Sequence, residues 1–334
     1  MQNGVTFWTE GGQSIGMGHV MRCINIARAI NADETPMHFL VNNERPVIER
    51  LNQEALFHVV YPMSGRHAAR LANSVVVIDT KRDVSSQVRA LKDDGKRVVL
   101  IDNSSTDEAD AIVMPTPVYR GEPKAALLSG SGYLIIGENF RNSRGEEPTS
   151  HSSPLKVLVT MGGADPFNLT EMVLKALWPM EGIEVTTVIG PAFRMTGTME
   201  EFVKRSGKRF TFAFNVKDMA PVMKEAHMAF TAVGTTVYEL AYMGVPAVLI
   251  GNYETDWPDL SMLESLGICT SLGYYRELAP SMITGATEKF RDDATEWKKM
   301  AEAGRALTDG CGASRIASLI SSLFKPTELN SGAW

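Results

Sequence analysis

The chain has 334 residues, a length that predicts two domains. Apolar residues make up 44% and charged residues 22%, ordinary for a globular core, and a formal net charge of −6 argues against a general nucleic-acid surface while leaving room for a local phosphate pocket. Cys23, Cys269 and Cys311 lie far apart without CxxC spacing, which argues against a disulfide framework or a zinc site, and with neither a signal peptide nor a run of ~20 apolar residues in view a cytoplasmic protein without membrane insertion is expected.

Short apolar runs alternate with longer amphipathic stretches. Strands are expected at 5–9, 37–41, 58–62, 74–79, 97–102 and 111–115, with helices at 19–31, 44–54, 64–72 and 83–94. Continuous apolar strands separated by helices of about 10 residues read as a parallel sheet covered on both faces. The polar, Ser-rich stretch 141–154 reads as a linker. The pattern then restarts with strands at 156–161, 184–190, 209–214, 228–232 and 246–250. Helices are expected from about 168, at 218–226 and at 235–243, then a closing helical segment at 287–324 and a loose tail. The expected fold class is therefore α/β, with two doubly wound, Rossmann-like domains at 1–150 and 155–324 whose ligand-binding edges face one cleft.

Three loops after strands carry candidate chemistry. GGQSIGMGHVMRC, residues 11–23, places Gly16, Gly18 and His19 at a helix start, where backbone N–H groups and the dipole favour an anion. It lacks the GK[ST] of a phosphate loop. His19 either acts as a base or caps the helix, and the loop alone weighs these equally. Arg22 pairs with a phosphate or with a carboxylate such as Asp102, again equally. VLVTMGGADPFNLT, residues 157–170, offers a second anion-friendly turn at Gly162 and Gly163, with Asn168 or Thr170 near the helix cap. In FTAVGTTVYELAYMGVPAVLIGN, residues 230–252, Gly234, Thr235 and Thr236 offer donors for a pyrophosphate, and Glu239 near the first helical turn offers a carboxylate for a ribose. As a structural alternative, Glu239 would only complement the helix dipole.

SIGMGHVMRC, VLVTMGGADPFNLT and AVGTTVYELAYMGVPAVLI, in that order, resemble the PseG/SpsG family, which joins a UDP-sugar hydrolase of pseudaminic acid biosynthesis to spore coat polysaccharide biosynthesis proteins. The resemblance extends to IDNSSTDEADAIVMPT at 101–116 and DGCGASRIASLI at 309–320. It implies the GT-B architecture. It further implies that the second domain holds UDP, with uracil near Asn215, Val216 and Met219, the ribose at Glu239 and the diphosphate at Gly234–Thr236. His19 would activate water for inverting attack at the anomeric carbon, and Asn252 and Asp256 match a segment that contacts the sugar. The chain departs from the hydrolase at VVVIDTKRD, where Thr80 and Lys81 replace a histidine-tyrosine pair. A lysine there could meet a phosphate or an acidic sugar.

The expected function is thus cleavage of the anomeric C–O bond of a UDP-sugar, by a hydrolase or, as the rival, by an inverting glycosyltransferase with the same His19. A nucleotide-sugar binding protein without catalysis is the third reading, and a nonhydrolysing epimerase lacks supporting residues. No DxD motif is present, so neither metal nor cofactor is expected. The partner is the UDP-sugar itself. The eighteen methionines read as core filler, and Cys23 as buried and inert.

Overall fold

A computed structural model describes residues 4–31, 34–62, 68–122, 126–145 and 153–324. The start of the helix expected at 64–72, half of the linker (146–152) and the C-terminal tail lie outside the described residues. The chain divides into two compact units: residues 1–11, 19–135 and 311–334 form the first, and 12–18 with 136–310 the second.

The first unit alternates strands and helices: β1 (Val5–Thr9), α1 (Gly18–Arg28), β2 (Met37–Val41), α2 (Arg45–Gln53), β3 (His58–Val60), α3 (Ala68–Leu71), β4 (Val75–Asp79), α4 (Ser85–Asp93), β5 (Arg97–Ile101), β6 (Ala111–Met114) and β7 (Leu127–Ser129). All pairings are parallel, in the order β3-β2-β1-β4-β5-β6-β7. Every residue of β1 and β4 is buried, as expected of central strands covered on both faces. Phe7 stacks on Phe39 at 4.9 Å, and α1 buries Val20, Cys23, Ile24 and Ile26 against the sheet. Each such side chain contributes about 1.5–3 kcal/mol through burial. Burial also pushes the Cys23 thiol well above its ordinary range.

The second unit contains α5 (Glu138–Ser143), β8 (Leu155–Thr160), α6 (Leu169–Leu177), β9 (Ile183–Ile189), α7 (Gly197–Lys204), β10 (Phe210–Phe214), α8 (Ala220–Lys224), β11 (Met228–Ala232), α9 (Thr235–Met243), β12 (Ala247–Gly251), α10 (Trp257–Ser265), β13 (Cys269–Tyr274), α11 (Pro280–Asp292) and α12 (Ala294–Ala306). Its parallel sheet runs β10-β9-β8-β11-β12-β13. The last helix, α13 (Gly312–Ser322), belongs to the first unit.

Three boundaries differ from the sequence expectation. Residues 12–18 group with the second unit, the main segment of that unit begins at Ile136, before α5, rather than at 155, and the C-terminal helix joins the first unit rather than closing the second. The last of these has a local cause. It is the glycine at the start of α13. A Cβ at Gly312 would lie 2.1 Å from the Leu134 carbonyl oxygen, so only glycine lets α13 dock on the 133–134 backbone, where Arg315 donates to the Gly132 carbonyl at 2.9 Å. The expected helical segment at 287–324 is three helices, beginning at Pro280. Among the described residues, no helix is long and apolar enough to cross a membrane.

In each sheet the strand order reverses once, between β1 and β4 in the first unit and between β8 and β11 in the second. Ligands of doubly wound sheets bind outside the carboxyl ends at that reversal. The loop that leads to His19 flanks the reversal in the first sheet, and the loops carrying Gly162–Gly163 and Gly234–Thr236 flank the one in the second.

Candidate functional site

At the reversal in the first unit, β1 and β4 run in register from Val5↔Val75 to Thr9↔Asp79. Asp79 closes the apolar run VVVI at the carboxyl end of β4 and is fully buried. His19, the second residue of α1, turns Nδ1 to within 2.6 Å of Asp79 Oδ1. Arg22, one turn on, donates from Nε to Asp79 Oδ2 at 2.9 Å and from Nη2 to Asp79 Oδ1 at 2.7 Å. Its Nη1 donates to Asp102 Oδ2 at 2.9 Å, and Lys81 Nζ reaches that same oxygen at 2.8 Å. The result is an unbroken chain of side chains, His19–Asp79–Arg22–Asp102–Lys81.

The chain assigns the histidine tautomer. Arg22 Nη2 also lies 2.8 Å from His19 Nδ1, but an arginine nitrogen only donates, and Asp79 Oδ1 is its nearer acceptor. A carboxylate clamped by two guanidinium bonds is ionised, so Nδ1 carries the hydrogen and gives it to Asp79. Nε2 is then the free nitrogen, without a partner among the described residues, on a side chain that keeps 10% of its surface exposed. Burial opposes the Arg22 charge, but Asp79 and Asp102 more than offset this and raise its pKa. Burial likewise opposes ionisation of Asp102, yet Arg22 and Lys81 hold its carboxyl below the usual range. Asp102 adopts φ 52°, a left-handed conformation that aspartate tolerates.

Arg22 therefore pairs with carboxylates. The glycine loop, by contrast, bonds to itself: Gly12 N donates to Gly16 O at 2.9 Å and Gly16 N to Gly12 O at 2.8 Å, with Gly16 at φ +83°. Gly18 opens α1.

In the second unit, Gly162 (φ +76°) and Gly163 form the turn after β8. A Cβ at Gly163 would lie 2.9 Å from Met17 Cγ, and one at Gly190 would lie 2.5 Å from the Gly162 and Gly163 carbonyl oxygens. The α6 N-terminus is capped by neither Asn168 nor Thr170. Instead the Asp165 carboxylate accepts from Leu169 N at 2.7 Å and Thr170 N at 2.8 Å. Burial raises the Asp165 pKa against those bonds.

Gly234 precedes α9 and no side chain caps that helix, so the first-turn N–H groups at Thr235 and Thr236 lack a capping side chain. Toward the other end of that helix α12 crosses α9 closely, with no room for a Cβ at Gly304 against Ala241. Glu239 is the fifth residue of α9, next to the first turn as expected. It is half-buried without a partner among the described residues, and the loss of hydration pushes its carboxyl up to about 7. Asp256 accepts from Asn252 N at 2.8 Å and Tyr253 N at 2.9 Å and so folds the turn after β12. Asn252 Oδ1 is buried without a partner among the described residues. Val216 and Met219 are half-buried before α8.

Sequence reasoning missed Asp79, Glu10 and Asn103, and an aromatic group in which Phe167 stacks on Tyr275 at 4.7 Å and meets Tyr253 edge-on at 5.3 Å. An acid closing a wholly apolar strand was the available signal for Asp79.

No family model matches the chain. An uncharacterized protein of Methanocaldococcus jannaschii is 26% identical over 272 residues, 74% of this chain and 55% of that protein, so the chain spans about half the length of this relative. The spore coat polysaccharide biosynthesis protein SpsG of Bacillus subtilis is 22% identical over 339 residues, covering 96% of this chain and 98% of SpsG. Among solved structures, Acinetobacter baumannii MurG has a TM-score of 0.66 at 14% identity, covering 96% of this chain and 99% of MurG. The Staphylococcus aureus MnaA–UDP co-structure has a TM-score of 0.66 at 11% identity, covering 97% of each chain. The fold is GT-B. The chain is similar to SpsG along nearly its whole length.

Proposed function

We propose that this chain is a nucleotide-sugar enzyme that cleaves the anomeric C–O bond of a UDP-sugar with inversion, using water as acceptor. The observation that carries the reading is the clamped imidazole of His19, with Nδ1–H on Asp79 and Nε2 free. The reaction needs a base for the proton of the attacking oxygen and stabilisation for a departing diphosphate. Nε2 takes the proton as the water oxygen bonds to the anomeric carbon, and UDP leaves with the electron pair of the broken C–O bond. Asp79 balances the charge that His19 acquires, as a buried carboxylate does for a histidine base elsewhere. General-base assistance of this kind supplies about 10²–10⁴-fold.

The second unit is assigned to UDP. The uncapped N–H groups at Gly234–Thr236 suit the diphosphate, Glu239 suits the ribose hydroxyls, and the backbone beside Val216 and Met219 suits the base. Asn252 Oδ1, an acceptor lacking a donor, suits a sugar N–H or O–H, with Asp256 holding its backbone. The MnaA–UDP neighbour supports UDP as the nucleotide.

One observation favours a second acceptor. Thr80–Lys81 stands where the hydrolase has its histidine-tyrosine pair, so a hydroxyl of another molecule could replace water. Incubation with UDP-sugars in ¹⁸O-water, without acceptor, separates the two. UDP release with label at the anomeric oxygen, lost in His19→Ala, is the expected result. UDP-sugar binding without release would move the assignment to a glycosyltransferase, and no binding would end the nucleotide-sugar reading.

A further inference from the structure

Three buried polar side chains fix one exposed turn. Asn103 Nδ2 donates to the carbonyls of both Thr80 and Arg82 at 2.7 Å. Thr80 Oγ1 donates to Glu10 Oε1 at 2.5 Å and accepts from Arg82 N at 3.2 Å. Glu10 also accepts from Arg82 Nε at 2.9 Å. Thr80, Glu10 and Asn103 are 0%, 5% and 6% exposed. The residue held in the middle is Lys81, whose side chain keeps 68% of its surface.

An exposed lysine ordinarily ranges over many rotamers, and ordering it costs entropy. Here backbone and head group are both set in advance, the latter by Asp102 Oδ2 at 2.8 Å. An ammonium has three N–H donors, and Asp102 takes one. Asp102 and Arg22 link that ammonium to His19, so the two outward-reaching ends of the chain are a basic nitrogen and a cation. The carboxylates lie inside: Asp79 is 0% and Asp102 19% exposed at the side chain.

We propose that Lys81 binds a carboxylate on the glycosyl group that His19 acts upon. Two remaining donors and a single charge match a carboxylate, which spreads one charge over two oxygens. This rests on the nucleotide-sugar reading and narrows the substrate to a UDP-sugar with an acidic glycosyl group.

The test is calorimetric binding of UDP, UDP-glucose and UDP-glucuronate to the wild type, Lys81→Met and Lys81→Arg, with melting curves to show that each variant folds. The wild type is expected to bind UDP-glucuronate about tenfold more tightly than UDP-glucose, the size of one charge-assisted pair. Lys81→Met brings that ratio to about one, Lys81→Arg keeps most of it, and UDP affinity stays the same in all three. A ratio near one in the wild type, or a ratio that survives Lys81→Met, overturns the inference. If UDP does not bind at all, the nucleotide-sugar reading fails separately. Ligand-observed NMR of D-glucuronate against D-glucose, on the same variants, then decides the Lys81 site by the same ratio.

Discussion

His19 and Asp79, sixty positions apart in the chain, are joined by a 2.6 Å contact at the one place where the strand order of the first sheet reverses. Asp79 fixes which nitrogen of His19 is free, and Arg22 fixes Asp79. Asp79→Asn keeps the shape and removes the charge. Under the proposed reaction, turnover falls by about 10²–10⁴-fold, while UDP affinity, assigned to the other unit, is unchanged. Stability falls by roughly 1–3 kcal/mol, because Arg22 keeps only Asp102 as a charged partner. A folded Asp79→Asn protein with wild-type turnover would remove Asp79 from the mechanism.

Glu239 supplies a pH prediction. Its carboxyl is raised by burial to about 7, above the ordinary 4.5. A raised acid binds its proton more tightly in the folded state, so its contribution to stability is full below about 4.5 and is lost as pH rises through about 7. Glu239→Gln removes the cost of a half-buried charge. It is expected to raise stability by roughly 1–3 kcal/mol at pH 8 and to change little at pH 4.5. If the carboxylate accepts the ribose hydroxyls, UDP binding of the wild type weakens as pH falls from 8 to 6, and Glu239→Gln flattens that profile. Calorimetry across this range reads both, and a flat wild-type profile would detach Glu239 from the ribose.

Most of this architecture could be read from the sequence because parallel strands buried on both faces are continuous apolar runs. VTFWT and VVVID announce β1 and β4 without ambiguity. Short or half-exposed elements were not legible: β7 is three half-buried residues, and β13, CTSLGY, carries no long apolar run. The Gly-rich loops and His19 were legible as local patterns. Asp79 as a partner was not, and Asp102 was only one of two equal readings, since both meet Arg22 only through sheet order. Arg22 had two equal readings until β4 and β5 were placed beside β1. Glu239 was legible as well, since α9 runs from Thr235 to Met243 as its apolar pattern and the preceding glycine predict.

At α6 the cap position was legible but the side chain that bonds there was not. Asn168 stands at the N-cap position but in a left-handed conformation, φ 55°, without a side-chain bond to the helix. Asp165, 5% exposed, reaches over it to two N–H groups. Asp165→Ala is expected to cost about 1–2 kcal/mol and Asn168→Ala much less, as measured by urea unfolding. Equal losses would return the capping role to Asn168.

The turn at Gly162–Gly163 depends on a glycine distant from it in sequence. Gly190, just after β9, meets the Gly162 and Gly163 carbonyl oxygens so closely that a Cβ would lie 2.5 Å from each. These are backbone atoms and cannot rotate away, so Gly190→Ala must push the turn off β9. The expected cost is about 1–3 kcal/mol or more, as for other overpacked sites. Gly197 is the contrast. It opens α7, and nothing lies within 4 Å of its Cβ position. Gly197→Ala should be neutral or stabilising by up to about 1 kcal/mol, because alanine restricts the unfolded chain. If the turn also serves the nucleotide, Gly190→Ala weakens UDP binding beyond what its lower stability explains, when compared with a variant destabilised equally elsewhere in the unit. UDP affinity equal to that of the matched variant would make the turn purely structural and leave the diphosphate to Gly234–Thr236.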